Sequence, residues 1–356
     1  MARILIAGVK VPFVRGGQDV LVKTLCDELK ARSHEVDTVE LPLSMLPKES
    51  IINQIAMWRL LNLNTFCGKD VDLVIATKFP TYYLQHPRKS LWLVHQHRAI
   101  YDLYGGRYSD ISDDPRDEEL RKMLVEGDKK VIGECVYRGA ISKNVAERLK
   151  QYNDLEAEVL YPPLKLAGKY YNATAENYIL SVGRICSIKR VDLMVKALTF
   201  ISPDIKLKIV GKADEPEVLQ YINNEIDKHH LWERVEFLGG VDDDGLLSLY
   251  ARSLAVYYAP FDEDYGYVTL EAMASGKPVI TAKDSGGVLE FIRDGETGVV
   301  QDPTPESIGC GAMRLIEDRT LAAEMGKRAR SEIERIGLAT GGWDSVINGL
   351  LSPLRK

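Results

Sequence analysis

The chain has 356 residues, 45% of them hydrophobic, and a formal net charge of −6. That length predicts two domains with full cores, and the acidic balance argues against a nucleic-acid-binding protein, which would usually carry a basic stripe. The five cysteines lack the spacing of a metal or redox motif, so we expect free thiols in a reducing compartment. No stretch approaches the roughly 20 apolar residues of a membrane span, and we expect a cytoplasmic protein.

The first half of the chain alternates predicted strands and helices, a rhythm typical of a doubly wound parallel sheet. Strands are predicted at residues 3–9, 36–41, 71–77, 91–96 and 136–142, and helices at residues 18–31, 51–63 and 143–151. Gly16 and Gly17 close the first strand-to-helix loop, residues 11–17, which lacks the GxGxxG spacing of a dinucleotide site. A close approach of a diphosphate or sugar explains these glycines, and a tight turn explains them equally well.

Two further features of the first half concern ligands. His95 and His97 fall where the strand at 91–96 leaves the sheet, the edge at which open α/β sheets bind their ligands. A packed or solvated histidine is the alternative. Residues 102–130 are highly charged, which favours a solvated loop leading into an exposed helix over a mobile lid.

The second half repeats the same rhythm after a break. Tyr161, Pro162 and Pro163 interrupt regular structure, so a linker is predicted at residues 162–177. Strands are predicted at residues 178–182, 206–210, 235–238, 254–258, 278–281 and 297–300, and helices at residues 191–200, 216–228 and 242–252. Three aspartates from residue 242 to 244 precede one of these helices, and we interpret them as helix caps rather than metal ligands.

Residues 261–276, FDEDYGYVTLEAMASG, contain an acidic loop, Gly266 and a predicted helix from Tyr267. The first N–H groups of such a helix, those of Tyr267, Val268 and Thr269, lack partners within it. The helix dipole favours an anion at this end, and Gly266 lets the backbone come close to it. The stretch therefore predicts a phosphate site.

Two carboxylates, Glu263 and Glu271, flank this predicted phosphate site. Helical side chains lean toward the N-terminus, so Glu271 overhangs the site, while Glu263 faces it from the loop. A phosphate between two carboxylates that accept hydrogen bonds from hydroxyls suits a nucleotide sugar. The alternative is an acid on a solvated loop and another on a helix surface.

A basic cluster follows the strand at 178–182. Gly183 precedes Arg184, whose guanidinium is a bidentate donor to phosphate oxygens, and Lys189 is a mobile point charge. Both cations follow the carboxyl end of a strand, as the acidic loop does, so we expect them to converge on one ligand. A plain surface pair is the alternative. The Ser-Gly-Gly turn at 285–287 allows another close approach at this rim.

With these residues in place, the chain resembles retaining glycosyltransferase family four, the glycosyl transferases group 1, which have the GT-B fold. The resemblance runs the length of the chain and is most specific in the second half. Many members have a phenylalanine where this chain has Tyr265, a mild change. The resemblance rests on SVGR at 181–184, KR at 189–190, DEDYGYVTLEAMASGKPV at 262–279, GGVLE at 286–290, DGETG at 294–298, the glycines at 16–17, AISKN at 140–144 and YPP at 161–163.

The resemblance implies an α/β protein with two Rossmann-like αβα domains facing across a cleft and a C-terminal helix, here about residues 343–351, that crosses back to the first domain. The acceptor-side domain would then comprise residues 1–165 with about 338–356, and the donor-binding domain residues 174–337.

The resemblance also implies roles for the residues above. Arg184 and Lys189 would bind the diphosphate, Glu271 the ribose hydroxyls and Glu263 the donor sugar, with phosphate held by the amides at 267–269. Gly17 and His95 would face the reacting sugar from the first domain. His97, Arg98 and Tyr101 are expected on the acceptor side.

The implied activity is transfer of a sugar with retention from a nucleoside-diphosphate sugar, with UDP slightly favoured over GDP, to a hydroxyl of a glycan or lipid-linked acceptor. We expect no cofactor and no metal, and a role in surface polysaccharide biosynthesis. A nucleotide-sugar epimerase of related fold and a non-catalytic nucleotide-sugar-binding subunit are the alternatives. A lipid-linked acceptor would suit peripheral attachment at the inner face of the membrane.

Overall fold

A computed structural model describes residues 1–12, 16–44, 47–48, 50–109, 111–112 and 114–355. The chain divides into two compact units, one formed by Met1–Lys165 with Trp343–Lys356 and the other by Leu166–Gly342. Residues 13–15 of the predicted glycine loop lie outside the described residues.

Both units are built from helices around a parallel sheet, and the first unit also contains a short antiparallel hairpin at residues 65–70. The strands are β1 (Arg3–Lys10), β2 (Glu35–Pro42), β3 (Thr65–Phe66), β4 (Lys69–Asp70), β5 (Leu73–Ala76), β6 (Lys89–Leu93), β7 (Tyr137–Ala140), β8 (Glu158–Val159), β9 (Tyr178–Val182), β10 (Lys206–Val210), β11 (Val235–Gly239), β12 (Ala255–Tyr257), β13 (Val279–Ala282) and β14 (Gly298–Gln301). The α-helices are α1 (Gly17–Ala31), α2 (Ser50–Leu60), α3 (Pro115–Gly133), α4 (Lys143–Asn153), α5 (Val191–Ala197), α6 (Pro216–Lys228), α7 (Asp243–Arg252), α8 (Tyr267–Ala274), α9 (Pro305–Glu317), α10 (Arg319–Arg335) and α11 (Asp344–Leu350).

The sheet of the first unit has the order β2-β1-β5-β6-β7-β8, and every one of its strand pairs is parallel. Its central strands are apolar on both faces, because helices cover each side of such a sheet. The C-terminal segment packs on this unit, where Trp343 meets the ring of Trp92 edge-on at 5.9 Å. The Ser90 hydroxyl also donates to the carbonyl of Leu350 at 2.7 Å.

The sheet of the second unit has the order β11-β10-β9-β12-β13-β14, again all parallel. The chain order reverses between β9 and β12, because β10 and β11 extend the sheet on one side and β13 and β14 on the other. In open α/β sheets such a reversal leaves a crevice outside the carboxyl ends of the two central strands, where ligands bind. The loops after β9 and β12 therefore border this crevice.

The core of the second unit also uses two helices, α9 and α10, for which the sequence analysis made no prediction. Both have clear start signals, since the Thr304 side chain accepts from the Ser307 amide and the Asp318 side chain accepts from the Leu321 amide. Gly326 of α10 lies so close to the backbone that an added Cβ would come within 2.0 Å of the Gly276 carbonyl oxygen. A glycine there lets α10 pack tightly behind α8.

The predicted bounds agree best in the second unit, where β9, β10 and α6 begin and end at the predicted residues. In the first unit β6 ends at Leu93, three residues before its predicted end, so His95 and His97 lie on the loop beyond it. Among the residues that the structure describes, no helix is long and apolar enough to cross a membrane.

Candidate functional site

Three loops form one layer at the carboxyl edge of the second sheet. They follow the neighbouring strands β9, β12 and β13 and are joined by backbone hydrogen bonds. The Phe261 amide donates to the Ile188 carbonyl at 2.9 Å, and the Asp262 amide donates to the Asp284 carbonyl at 2.8 Å. This layer fixes the acidic loop between the basic loop on one side and the glycine turn on the other.

The glycine turn allows the acidic loop to come close, as the sequence predicted. Gly286 has φ +57°, a conformation that favours glycine. A Cβ on Gly287 would lie 2.6 Å from the carbonyl oxygen of Asp264. The Gly287 amide donates to the Glu263 carbonyl at 2.7 Å, so the turn holds the backbone of the acidic residue in place.

Lys189 and Glu263 meet in this layer as an ion pair. Their side chains are only 16% and 19% exposed, and the Lys189 ammonium also donates to the Tyr258 hydroxyl at 3.0 Å. Burial lowers the pKa of Lys189, but the charges of Glu263 and Tyr258 outweigh it and the net pKa is raised. Lys189 is therefore a fixed, half-buried positive charge.

Arg184 lies beside this pair. Its guanidinium donates to Asp214 at 2.6 Å, and its side chain is 49% exposed. Burial lowers the pKa of Arg184, while Asp214 and the nearby charge of Glu263 are among the groups that raise it, with a net increase. Arg184, Lys189 and Glu263 thus form one electrostatic cluster, which brings together the residues that the sequence predicted to converge.

Gly183 turns the chain out of β9 at φ +134°, in the region that side chains avoid. A Cβ on the neighbouring Gly211 would lie 1.8 Å from the Gly183 carbonyl oxygen. The two glycines therefore let the loops after β9 and β10 cross closely at the base of Arg184.

Helix α8 begins at Tyr267, as predicted, with Gly266 as its N-cap at φ +85°. One part of the phosphate prediction is wrong, because the Thr269 amide donates to the Gly266 carbonyl at 3.0 Å. An amide used in this turn is not available to a ligand, so the predicted cradle reduces to the amides of Tyr267 and Val268. The Thr269 side chain is fully buried.

Glu271 lies one turn into α8, in a setting of tyrosines that the sequence did not indicate. The Tyr250 hydroxyl donates to its carboxylate at 2.7 Å. Burial first, and then the charge of Glu271, raise the pKa of Tyr250, Tyr170 and Tyr267. Glu271 is thus an oriented carboxylate, and Tyr250 and Tyr170 went unnoticed because they stand 21 and 101 positions away from it in the sequence.

In the first unit, Gly16 is the N-cap of α1 in extended conformation and Gly17 is the first helical residue. The Gly16 amide donates to the Asp19 carboxylate at 2.7 Å. A Cβ on Gly16 would meet no atom within 4 Å, so packing does not require a glycine there. Whether a donor approaches these glycines stays a prediction.

His95 lies on the loop after β6. Its Nδ1 is 2.7 Å from the carbonyl oxygen of Gln96, and a carbonyl only accepts, so Nδ1 carries the proton of the neutral ring. Nε2 is then the basic nitrogen of His95. The loop is also tied to the neighbouring strand end, because the Phe79 amide donates to the His95 carbonyl at 3.2 Å.

The acceptor-side predictions for His97 and Tyr101 are wrong, because both side chains are buried. His97 is 8% exposed and stacks on Phe79 with ring centroids 5.4 Å apart. Tyr101 is 2% exposed. Arg98 is engaged in an ion pair with Asp102, so it is a poor candidate for an acceptor contact. All three follow a strand whose loop turns back into the unit.

Tyr101 belongs to a buried polar network around Asp128. The fully buried carboxylate accepts from the hydroxyls of Tyr82, Tyr83 and Tyr101 at 2.7–2.8 Å. Asn153 extends the network from Tyr101 to the side chain of Gln96, at 3.3 and 2.6 Å. Burial raises the pKa of Asp128 to about 6, although its hydrogen bonds to the tyrosines lower it.

The aspartates before α7 behave as predicted. The Asp242 side chain accepts from the Gly245 amide at 2.8 Å and caps the helix.

The match to known families falls on the second unit. Residues 164–332 match the family model described as Glycosyl transferases group 1. The fold defines the broader class, since the two parallel α/β units correspond to the GT-B glycosyltransferases among solved structures. This match to the group 1 glycosyltransferases bears out the family recognised from the sequence.

Similarity to curated proteins is likewise partial. The chain is 31% identical over 190 residues to the N-acetyl-alpha-D-glucosaminyl L-malate synthase of Bacillus anthracis, which covers 51% of this chain and 48% of that protein. The chain thus spans about half the length, or less, of the curated relatives that it matches.

Similarity in structure extends over the whole chain. A sucrose-phosphate synthase from Thermosynechococcus elongatus aligns with a TM-score of 0.80 at 18% identity, over 100% of this chain and 98% of its own. Anabaena Alr3699/HepE, solved in complex with UDP and glucose, aligns with a TM-score of 0.72 at 16% identity, over 98% and 99% of the two chains. At such identities the likeness establishes the GT-B fold, and the predicted fold class is confirmed.

Proposed function

We propose that this protein transfers a sugar, with retention, from a nucleoside-diphosphate sugar to a hydroxyl of a glycan or lipid-linked acceptor. The observation that carries the proposal is the Lys189–Glu263 ion pair. It lies with Arg184 at the carboxyl edge of the second sheet, where the strand order reverses between β9 and β12. A cation next to a carboxylate suits a ligand that is anionic at one end and rich in hydroxyls at the other.

The proposed chemistry follows from charge. Cleavage of the bond between sugar and phosphate leaves extra negative charge on the departing nucleoside diphosphate. Lys189 and Arg184 are held as cations near the proposed phosphates, and fixed charges of this kind stabilise a transition state without reorganising. The amides of Tyr267 and Val268 at the α8 N-terminus add donors for the same oxygens.

The two carboxylates take separate roles in this proposal. Glu271, oriented by the Tyr250 hydroxyl, accepts hydrogen bonds from the ribose. Glu263 exchanges part of its contact with Lys189 for a hydroxyl of the donor sugar. His95 presents Nε2 to the reacting sugar, and the departing phosphate helps to deprotonate the acceptor hydroxyl on the same face.

UDP is the preferred nucleotide of the proposed donor. The support is the likeness to HepE, whose structure holds UDP and glucose. We also propose that the cations of the site replace a metal ion, so that chelation leaves the activity unchanged. The proposed role is surface polysaccharide biosynthesis, with the protein in the cytoplasm or at the inner face of the membrane.

A thermal-shift panel tests the donor, with UDP, GDP, UDP-glucose and GDP-mannose added to the full chain. A ligand present at 100 times its Kd stabilises the folded state by about 2.7 kcal/mol. We expect uridine ligands to raise the Tm of the wild type and of Lys196→Ala, a control at a lysine paired with Asp192 outside the site. Lys189→Ala and Glu271→Ala should show a clearly smaller shift than the wild type.

A second assay separates transfer from the alternatives. UDP-glucose is incubated alone and with a panel of soluble and lipid-linked sugar acceptors. Acceptor-dependent release of UDP, with a product whose anomeric NMR signal keeps the α configuration, supports the proposal. An epimer formed without acceptor would identify an isomerase, and binding without turnover on any acceptor would favour a binding subunit. Full transfer activity in both Lys189→Ala and Glu271→Ala would refute the assigned site.

A further inference from the structure

The three loops of the candidate site meet at a side chain for which the sequence analysis predicted no role. Arg190, next to Lys189, is 8% exposed. Its guanidinium donates to the carbonyls of Ala259 at 2.7 Å and Pro260 at 2.8 Å. It also makes a bidentate ion pair with Asp284, at 2.8 and 2.7 Å. One guanidinium therefore links the loops after β9, β12 and β13.

The backbone at Arg190 indicates that this contact matters. Arg190 has φ +51°, in the left-handed region, which is unfavourable for a residue with a side chain and favours glycine. A strained backbone of this kind persists when the surroundings over-determine it. Here four side-chain hydrogen bonds do so, together with the Tyr257 hydroxyl, which donates to the Arg190 carbonyl at 2.8 Å.

We propose that Arg190 and Asp284 are positioning residues of the donor site. Arg190 anchors the turn that carries Lys189, and its bonds to Ala259 and Pro260 anchor the loop that carries Glu263. Asp284 ties both loops to the turn after β13. The Arg190–Asp284 pair, called the clamp below, thus sets the distance between Lys189 and Glu263, so that a single nucleotide sugar can contact both. This role rests on the function proposed above.

The geometry calls for arginine in this clamp. A guanidinium presents five N–H donors in a rigid planar fork, whereas an ammonium is a point charge on a flexible stem. A lysine side chain in this place could not bridge two carbonyls and both oxygens of a carboxylate with this geometry. Arg190→Lys should therefore keep the charge and lose most of the positioning.

Arg234 provides a matched control in the same unit. Its guanidinium also donates to four acceptors, the carbonyls of Leu198, Ile201, Ser202 and Ile205, at 2.8–3.2 Å. It lies directly before β11, at the amino edge of the sheet, away from the candidate site. Arg234→Gln removes a comparable set of bonds and leaves the three loops linked.

The first readout is hydrogen exchange in the full chain. In Arg190→Gln and in Asp284→Asn we expect amides at 258–266 and 283–288 to exchange about tenfold faster. The hydrogen bonds of the clamp are already lost in these variants, so local opening costs less free energy. Arg234→Gln should speed exchange around residues 198–207 and leave those two segments unchanged. Unchanged exchange at 258–266 and 283–288 in both clamp variants would overturn the proposal.

The second readout is the affinity for UDP and GDP, measured by calorimetry. We expect Arg190→Gln, Arg190→Lys and Asp284→Asn each to weaken binding about tenfold. The variant with both Arg190→Gln and Asp284→Asn should bind as tightly as Arg190→Gln, because the effects of substituting two partners in one network are not additive. Equal loss in Arg234→Gln would reduce Arg190 to a structural residue and overturn the proposal. If neither nucleotide binds the wild type, the proposed function fails, and hydrogen exchange alone decides for or against the clamp.

Discussion

The strand ends of the two units use their polar side chains in opposite ways. After β9 and β12, Lys189 and Glu263 face each other half-buried at the edge of the sheet, at 16% and 19% exposure. After β6, His97 and Tyr101 turn into the unit, and Tyr101 serves the buried carboxylate of Asp128. Of these two edges, the one in the second unit presents its charges where a ligand can reach them.

The difference shows what kind of pattern encodes a site. In the second unit each chemical group lies within a few residues of a strand end or a helix start, and strand order alone brings them to one edge. In the first unit the loop after β6 is shaped by a network of residues from α3, α4 and the segment before β6. Residue type and strand position therefore identified groups in the second unit but misplaced them in the first.

The largest expected effect comes from removing the fixed charge of the second unit. Lys189→Met deletes a cation that would face the leaving diphosphate, and we expect a loss of about 10³-fold in the rate of sugar transfer, comparable to removal of a transition-state donor. Lys189→Arg should retain part of the rate. Steady-state release of UDP from UDP-glucose measures this, and a Met variant with wild-type rates would place the leaving group elsewhere.

The next effect concerns the buried network around Asp128 in the first unit, and it is measured as a change in the free energy of unfolding. Burial raises the pKa of Asp128 to about 6 from its ordinary value of 3.8. Between these pH values the unfolded chain releases a proton that the folded chain retains, so stability falls as pH rises, by about 3 kcal/mol in total. Asp128→Asn should lack this fall when urea unfolding is followed from pH 3.5 to 7.

Asp117, in the same unit, is a control whose contribution to stability changes with pH in the opposite direction. Hydrogen bonds, first to Lys48 and then to Ser112, lower the pKa of Asp117 to about 2. Its contribution is therefore present above the ordinary pKa of an aspartate, near 4, and is lost as pH falls toward about 2. Asp117→Asn should remove stability at neutral pH, and an identical pH profile for Asp117→Asn and Asp128→Asn would contradict the assigned network.

A third prediction tests whether the first unit contributes any catalytic group. His95→Gln should lower transfer about 100-fold, the lower end of the cost of removing one preorganised hydrogen-bonding group at the reacting centre, while leaving UDP affinity unchanged. His86, bonded to the Arg88 carbonyl at 2.8 Å before β6, is the matched control, and His86→Gln should keep the rate. Equal rates in His95→Gln and the wild type would confine the chemistry to groups outside this loop.

The smallest effect separates the two carboxylates of the second unit. Glu271→Gln should weaken UDP binding about tenfold through the ribose and leave pyrophosphate affinity unchanged, and Tyr250→Phe should weaken UDP binding about fivefold by removing one orienting hydrogen bond. Isothermal titration with both ligands measures the split. Equal losses for UDP and pyrophosphate would move Glu271 from the ribose to the phosphates.

The sequence by itself determined the alternation of strands and helices, the start of α8 at Tyr267 and the family that residues 164–332 match, because these depend on local periodicity, glycine positions and short motifs. It also marked Arg184, Lys189, Glu263 and Glu271, since each lies near a strand end or helix start whose place in the sheet follows from chain order.

The tertiary structure alone decided the partners of those residues. Tyr250 orients Glu271, and Arg190 pairs with Asp284, which lies 94 positions later in the sequence. The Thr269 amide donates to the Gly266 carbonyl within the first turn of α8. It also decided that His97 and Tyr101 are interior, because burial depends on which distant segments cover a loop. Hydrogen bonds between loops that are far apart in the sequence produce no local pattern in a single sequence. For this physical reason only the tertiary structure reveals them.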